Sequence, residues 1–177
     1  MIDPVATPDA YRASLLAALG EDDPAVVQAA GPEAMQRLIA NAGESLRVRP
    51  EPGEWSVLEC LAHLADSELI TAARVRWILA EDEPDIVGYD QDRWVNVLSQ
   101  VDEDPRTHVA AFGALRRWNL EQWARATVAD RDRIGRHRER GAESYGLTFR
   151  LAAGHDRIHL EQARRALETV RGARTAG

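Results

Sequence analysis
Between Gly154 and Arg165 the chain reads Gly-His-Asp-Arg-Ile-His-Leu-Glu-Gln-Ala-Arg-Arg, and the helical phase of this stretch constrains the fold more than any other feature of the sequence. At about 100° per residue, His155 and His159 share a face with Thr148, Leu151, Ala152, Ile158, Gln162, Ala163 and Ala166. Arg150, Arg157, Glu161, Arg164 and Glu168 lie on the opposite, solvated face. Two imidazoles and an amide therefore stand in an apolar stripe that must point into a core, where a polar group left unpaired costs roughly 1–3 kcal/mol. Hydrogen-bonded core histidines would meet that demand. A metal ion meets it better, because a His-x-x-x-His spacing lets two ring nitrogens from successive turns converge on one cation, with the third ligand drawn from elsewhere in the chain.

A chain of 177 residues is long enough for one domain with its own core. Its single cysteine, Cys60, excludes an internal disulfide, a CxxC redox pair and a cysteine-based zinc site. All 22 basic residues are arginine, and the absence of lysine excludes Schiff-base chemistry, pyridoxal phosphate anchored on lysine and a P-loop. A net charge of −7 argues against nucleic acid as a partner. The apolar runs are short and interrupted by charge, and Met1-Ile2-Asp3-Pro4 lacks a basic or apolar leader, so a cytoplasmic protein with no membrane span is expected.

Start and stop signals divide the chain into helices. Thr7-Pro8-Asp9 and Gly20 bracket a short helix, Asp23-Pro24 opens a brief segment, and Gly31-Pro32 opens a longer helix to about Leu46. After the 49–53 loop, Ser56 and Glu59 stand in capping-box register, with Trp55 placed to staple onto Cys60, and the helix they open runs to about Ala80. It carries His63 on a stripe with Ser56, Glu59, Cys60, Asp66 and Ser67, away from its strongly apolar side. That stripe is either a wet surface or the lining of a polar cleft, and phase leaves the two about even.

Residues 81–104 read as an acidic loop with one helical turn near Trp94 to Leu98, and Asp104-Pro105 opens a helix to about Thr127 with His108 exposed in its first turn. The arginine-rich run 131–140 reads as a solvated segment, or as a rim that attracts an anionic substrate. Thr148 caps a last helix to about Arg171. No strand pattern stands out, so the fold expected is an all-α four-helix bundle over 32–172, with short extra helices packed on it over 1–31 and a disordered tail over 173–177.

Two stretches in this order, Pro-Gly-Glu-Trp-Ser-Val-Leu-Glu-Cys-Leu-Ala-His-Leu-Ala-Asp-Ser-Glu over 52–68 and Gly-His-Asp-Arg-Ile-His-Leu-Glu-Gln over 154–162, resemble the DinB/YfiT-like family of metalloenzymes. The resemblance covers most of the chain from about Met35 onward. It implies a four-helix bundle, often homodimeric, holding one divalent metal through three histidines, which by position are His63, His155 and His159. It also implies a small-molecule substrate and, in members of assigned activity, transferase or isomerase chemistry that uses a low-molecular-weight thiol.

Three protein ligands leave a metal position open, the pattern of a catalytic site. A thiol-dependent S-transferase or isomerase, or a hydrolase-type reaction, is the function expected; zinc is the default metal, with nickel or iron as other candidates. Glu59 and Asp66 are candidates to orient His63, and Gln162 to contact a ligand. A zincin-type peptidase fits poorly, because Asp156 replaces the glutamate base and faces about 100° away from His155. The alternative from another class is a non-catalytic metal-binding bundle that serves as a dimeric binding module. Cys60, one turn before His63, reads as packing rather than as a nucleophile.

Overall fold
The structure, a computed structural model, describes residues 6–98 and 102–175. In chain order the helices are α1 (Pro8–Leu19), α2 (Pro24–Ala29), α3 (Gly31–Ala42), α4 (Val57–Ala80), α5 (Gln91–Val97), α6 (Pro105–Arg125), α7 (Val128–Asp132) and α8 (Tyr145–Thr175). α3, α4, α6 and α8 form a four-helix bundle, with α1 laid along α8 and α2 against α8 and α6. No helix among the described residues is long and apolar enough to cross a membrane.

α4 is the central helix. Ser56 Oγ accepts from Glu59 N while Glu59 Oε2 accepts from Ser56 N at 2.8 Å, closing the capping box, and Trp55 and Cys60 are both buried as the staple requires. From Val57 to Ala65 every residue is buried, because α3, α6 and α8 surround this end of the helix. A two-faced reading of α4 therefore fails, and His63 is 1% exposed despite its polar neighbours in phase.

The main core joins Met35, Leu38, Leu58, Leu61, Phe112 and Leu167 across the four long helices. A second cluster under the other end holds Val75, Ile78, Tyr145 and Phe149, with Trp123 stacked on Phe149 at 4.0 Å between ring centroids.

Several expectations are corrected. Three short strands are present: β1 (Asp85–Ile86) pairs in parallel with β2 (Ile134–His137), which pairs antiparallel with β3 (Gly141–Ser144). The arginine-rich run is thus largely a hairpin and not merely solvated: His137 is buried, and Arg140 pairs with buried Glu143 through Nε at 2.6 Å and Nη2 at 2.9 Å. The helix opened by Gly31-Pro32 stops at Ala42, and a 3₁₀ turn, Gly43–Arg47, completes the span to Leu46. His108 is buried, within 3.3 Å of a Glu103 carboxylate oxygen. α8 begins at Tyr145, with Ser144 Oγ accepting from Leu147 N, so Thr148 lies inside the helix rather than capping it. The helix also continues through most of the expected tail, to Thr175; residues 176–177 lie outside the described residues.

α1 is fixed to α8 at close range. Arg157 donates to the carbonyls of Ala18 and Leu19 at 3.0 and 2.9 Å, satisfying the open end of α1, and also pairs with Asp22. Arg12 reaches the carbonyl of Arg140 at 3.0 Å, tying α1 to the hairpin as well.

Candidate metal centre
α4 and α8 are neighbours along their length, and their contact brings the three histidines together. The ligand atoms of His63, His155 and His159 all lie within 4.8 Å of one another, and Nε2 of His63 is 3.1 Å from Nε2 of His155. All three side chains are buried. Among the described residues this is the one such group of histidine, cysteine or acidic side chains.

The donor set fits a divalent cation on chemical grounds. Nitrogens sharing a zinc ion at about 2.0–2.1 Å in tetrahedral array stand roughly 3.3 Å apart, close to the separation seen between His63 and His155. Burial pushes the pKa of all three imidazoles down, His159 to about 4 and His63 and His155 well below 6.5; mutual repulsion adds to this for His63 and His155. The rings are therefore neutral at pH 7, and each offers a lone pair. His159 Nδ1 lies 2.9 Å from Gln162 Oε1; an amide oxygen only accepts, so the proton is on Nδ1 and Nε2 is left free to ligate.

Aromatic rings pack around the centre. Trp55 stacks on His159 at 5.8 Å and tilts against His63 at 5.0 Å, and Tyr89 lies 6.4 Å from His63. Nothing in periodicity marked Trp55 for this role; its staple position already accounted for it. Gln162, expected to contact a ligand, is hydrogen-bonded to His159.

Glu59 does not orient His63. Burial pushes its carboxyl up, but Arg49 and Ser56 outweigh this and hold it below the usual range, with both carboxylate oxygens 3.0 Å from Arg49 Nε. Asp66 is half-buried and outside the histidine group. Cys60 is fully buried and its thiol is pushed up to about 12, chiefly by burial, which suits packing and not nucleophilic attack.

One element of the surroundings left no local trace in the sequence. Asp156, beside His155, is bound by Arg116 Nη1 and Nη2; Nη2 also reaches Glu68 at 2.7 Å, and Asn119 donates to Glu68 at 2.7 Å. All four side chains are buried. Burial works against the charge of Arg116, but Asp156 and Glu68 outweigh it and hold the guanidinium firmly protonated. The network locks α4, α6 and α8 together behind the histidines.

Residues 28–163 match the DinB superfamily. A curated relative from Oceanobacillus iheyensis is 26% identical over 133 residues, covering 72% of this chain and 77% of its own. A second from that organism is 22% identical over 130 residues, 73% and 75% of the two chains. One from Geobacillus thermodenitrificans is 31% identical over 64 residues, 36% of each. All three are provisionally named metal-dependent hydrolases. Among solved structures, YfiT from Bacillus subtilis superposes with a TM-score of 0.77 at 20% identity, over 84% of this chain and 86% of that one. It is described as a four-helix bundle of unusual topology and, provisionally, as a metal-dependent hydrolase; at that identity the likeness shows the fold.

Proposed function
This chain belongs to the DinB superfamily, and from that premise we propose that it is a metal-dependent, hydrolase-type enzyme acting on a small molecule, with His63, His155 and His159 holding one divalent cation. The observation that carries the reading is the convergence of three buried, neutral imidazoles from two helices far apart in sequence. Burying three unprotonated rings with their nitrogens facing one another leaves lone pairs that a cation satisfies together. The names of the curated relatives support hydrolysis.

With three protein ligands, a bound cation keeps a position for substrate, where it supplies Lewis acidity and acidifies water or a thiol. The remaining work falls to the chain. Gln162 fixes the tautomer of His159, and Trp55 restrains the rings of His63 and His159. Two carboxylates close in sequence to the ligands, Glu59 and Asp156, are spent on Arg49 and Arg116. Use of a low-molecular-weight thiol in place of water, as S-transferase or isomerase chemistry requires, is the finer form of this proposal and rests on the family resemblance. Zinc is the default cation, and a homodimer is carried over from the same resemblance.

The test combines elemental analysis with assay. Protein loaded with zinc, nickel or iron is expected to hold one cation per 19.6 kDa chain and to turn over members of an ester and amide panel, with thiol-containing reactions separating transfer from hydrolysis. Unchanged metal content in His155→Ala would overturn the assignment. Strong destabilisation by chelator without turnover would favour the non-catalytic metal-binding bundle.

A further inference from the structure
Beside His155 the described residues line a partly open cavity of about 70 Å³, room for a group of roughly five non-hydrogen atoms if each takes the space of one water. Its lining combines apolar Leu15, Leu151 and Ala152 with Arg74, Arg140 and Thr148, and also includes the carboxylates of Glu139 and Glu143. The two arginines differ. Arg140 is neutralised by its paired bonds to buried Glu143. Arg74 has no carboxylate within ion-pairing distance among the described residues; its Nη2 donates to the carbonyl of Val87 at 3.0 Å, and its Nε is buried without a hydrogen-bond partner. Thr148 Oγ1 is also buried without one.

A guanidinium without an ion pair whose Nε is buried and unpartnered, and an orphan buried hydroxyl, are costly unless something binds them, and both line the same cavity as a proposed metal ligand. We propose that this cavity is the subsite for a carboxylate carried by the substrate: Arg74 pairs with the carboxylate, Thr148 Oγ1 donates to it, and a short aliphatic body lies against Leu15, Leu151 and Ala152. The role as a substrate subsite rests on the function proposed above; the anion binding does not. The cavity's size favours a carboxylate on a short chain over a phosphate ester. Part of the wall, Leu15 and Tyr11, comes from α1, which precedes the stretch matching the superfamily.

The test is a nuclear magnetic resonance titration of the chelator-stripped and the zinc-loaded protein with propionate, butyrate and their amides. Both acids are expected to shift the Thr148 and Leu151 amides in stripped and loaded protein alike, and the amides to bind at least tenfold more weakly. Arg74→Gln should weaken the acids at least tenfold, Arg74→Lys should restore part of the loss, and Thr148→Val, nearly isosteric, should weaken them several-fold. Equal binding of acids and amides, unchanged affinity in Arg74→Gln, or acid binding confined to zinc-loaded protein would each overturn the proposal. Because the stripped protein is read separately, failure of the metal assignment and failure of this subsite give different results.

Discussion

Gln162 Oε1 accepts from His159 Nδ1 at 2.9 Å, one turn along α8, and this bond decides which nitrogen of His159 faces the other two imidazoles. Removing the acceptor frees the ring to take the other tautomer and to rotate. Partners of this kind are typically worth 10–100-fold in metal affinity. Gln162→Leu, which keeps most of the volume, is expected to weaken zinc binding by about that range in competition with a chelating dye, while its circular dichroism and melting without metal stay near those of the parent.

Protons compete with a cation for the same imidazole lone pairs, so the depressed values set the pH window for binding. His159 is lowered to about 4, and His63 and His155 lie well below 6.5. Zinc affinity should therefore be nearly flat from pH 8 to about 5 and fall steeply toward 4; a midpoint near 6.5 in calorimetric titrations would show that the rings are not desolvated. The metal-free protein follows the same sign. Each folded value is below the unfolded 6.5, so the unfolded chain binds more protons as the pH drops, and stability present above pH 6.5 is lost as it falls toward 4.

How much of this was legible in the sequence depends on how local each signal is. The His155 and His159 pair stood out because α8 is two-faced, with charge on one side. His63 did not, because phase analysis assumes a helix with a wet side, and the first turns of α4 have none. The hairpin was hidden for a related reason: in β2 the buried positions are Gly135 and His137, so no apolar alternation exists to be read. Gly135 is small because a Cβ there would come within 2.8 Å of Ile78 and 2.9 Å of Ile86. The partners of Arg116 lie 48 and 40 residues away for Glu68 and Asp156, and nothing near Arg116 in sequence announces either.

Arg116 supplies the next prediction. Removing it leaves two buried carboxylates facing each other with no cation, and breaking a buried pair in this way typically costs about 3–5 kcal/mol. Arg116→Met should lower the urea midpoint by an amount of that order. Combining it with Glu68→Gln and Asp156→Asn should recover part of the loss, since the charges are then gone. A triple variant no more stable than Arg116→Met alone would mean that the guanidinium acts through packing, as its contact with the Phe112 ring at 4.4 Å would allow.

Gly154 separates the roles of α1 and of the histidines. A Cβ built there would lie 1.9 Å from the carbonyl oxygen of Leu15 and 2.7 Å from its carbonyl carbon, and backbone atoms of a packed helix have nowhere to yield. Gly154→Ala must push α1 off α8, although alanine is the better helix former by about 1 kcal/mol. The clash should win, with a net loss of about 1–3 kcal/mol in urea unfolding and new proteolytic cleavage near the turn at Gly20. His63, His155 and His159 reside on α4 and α8, so zinc stoichiometry is expected to survive. The cavity wall of Tyr11 and Leu15 departs with α1, so butyrate affinity should fall. Zinc loss in this variant, with α8 still helical, would show instead that α1 holds the metal centre in shape.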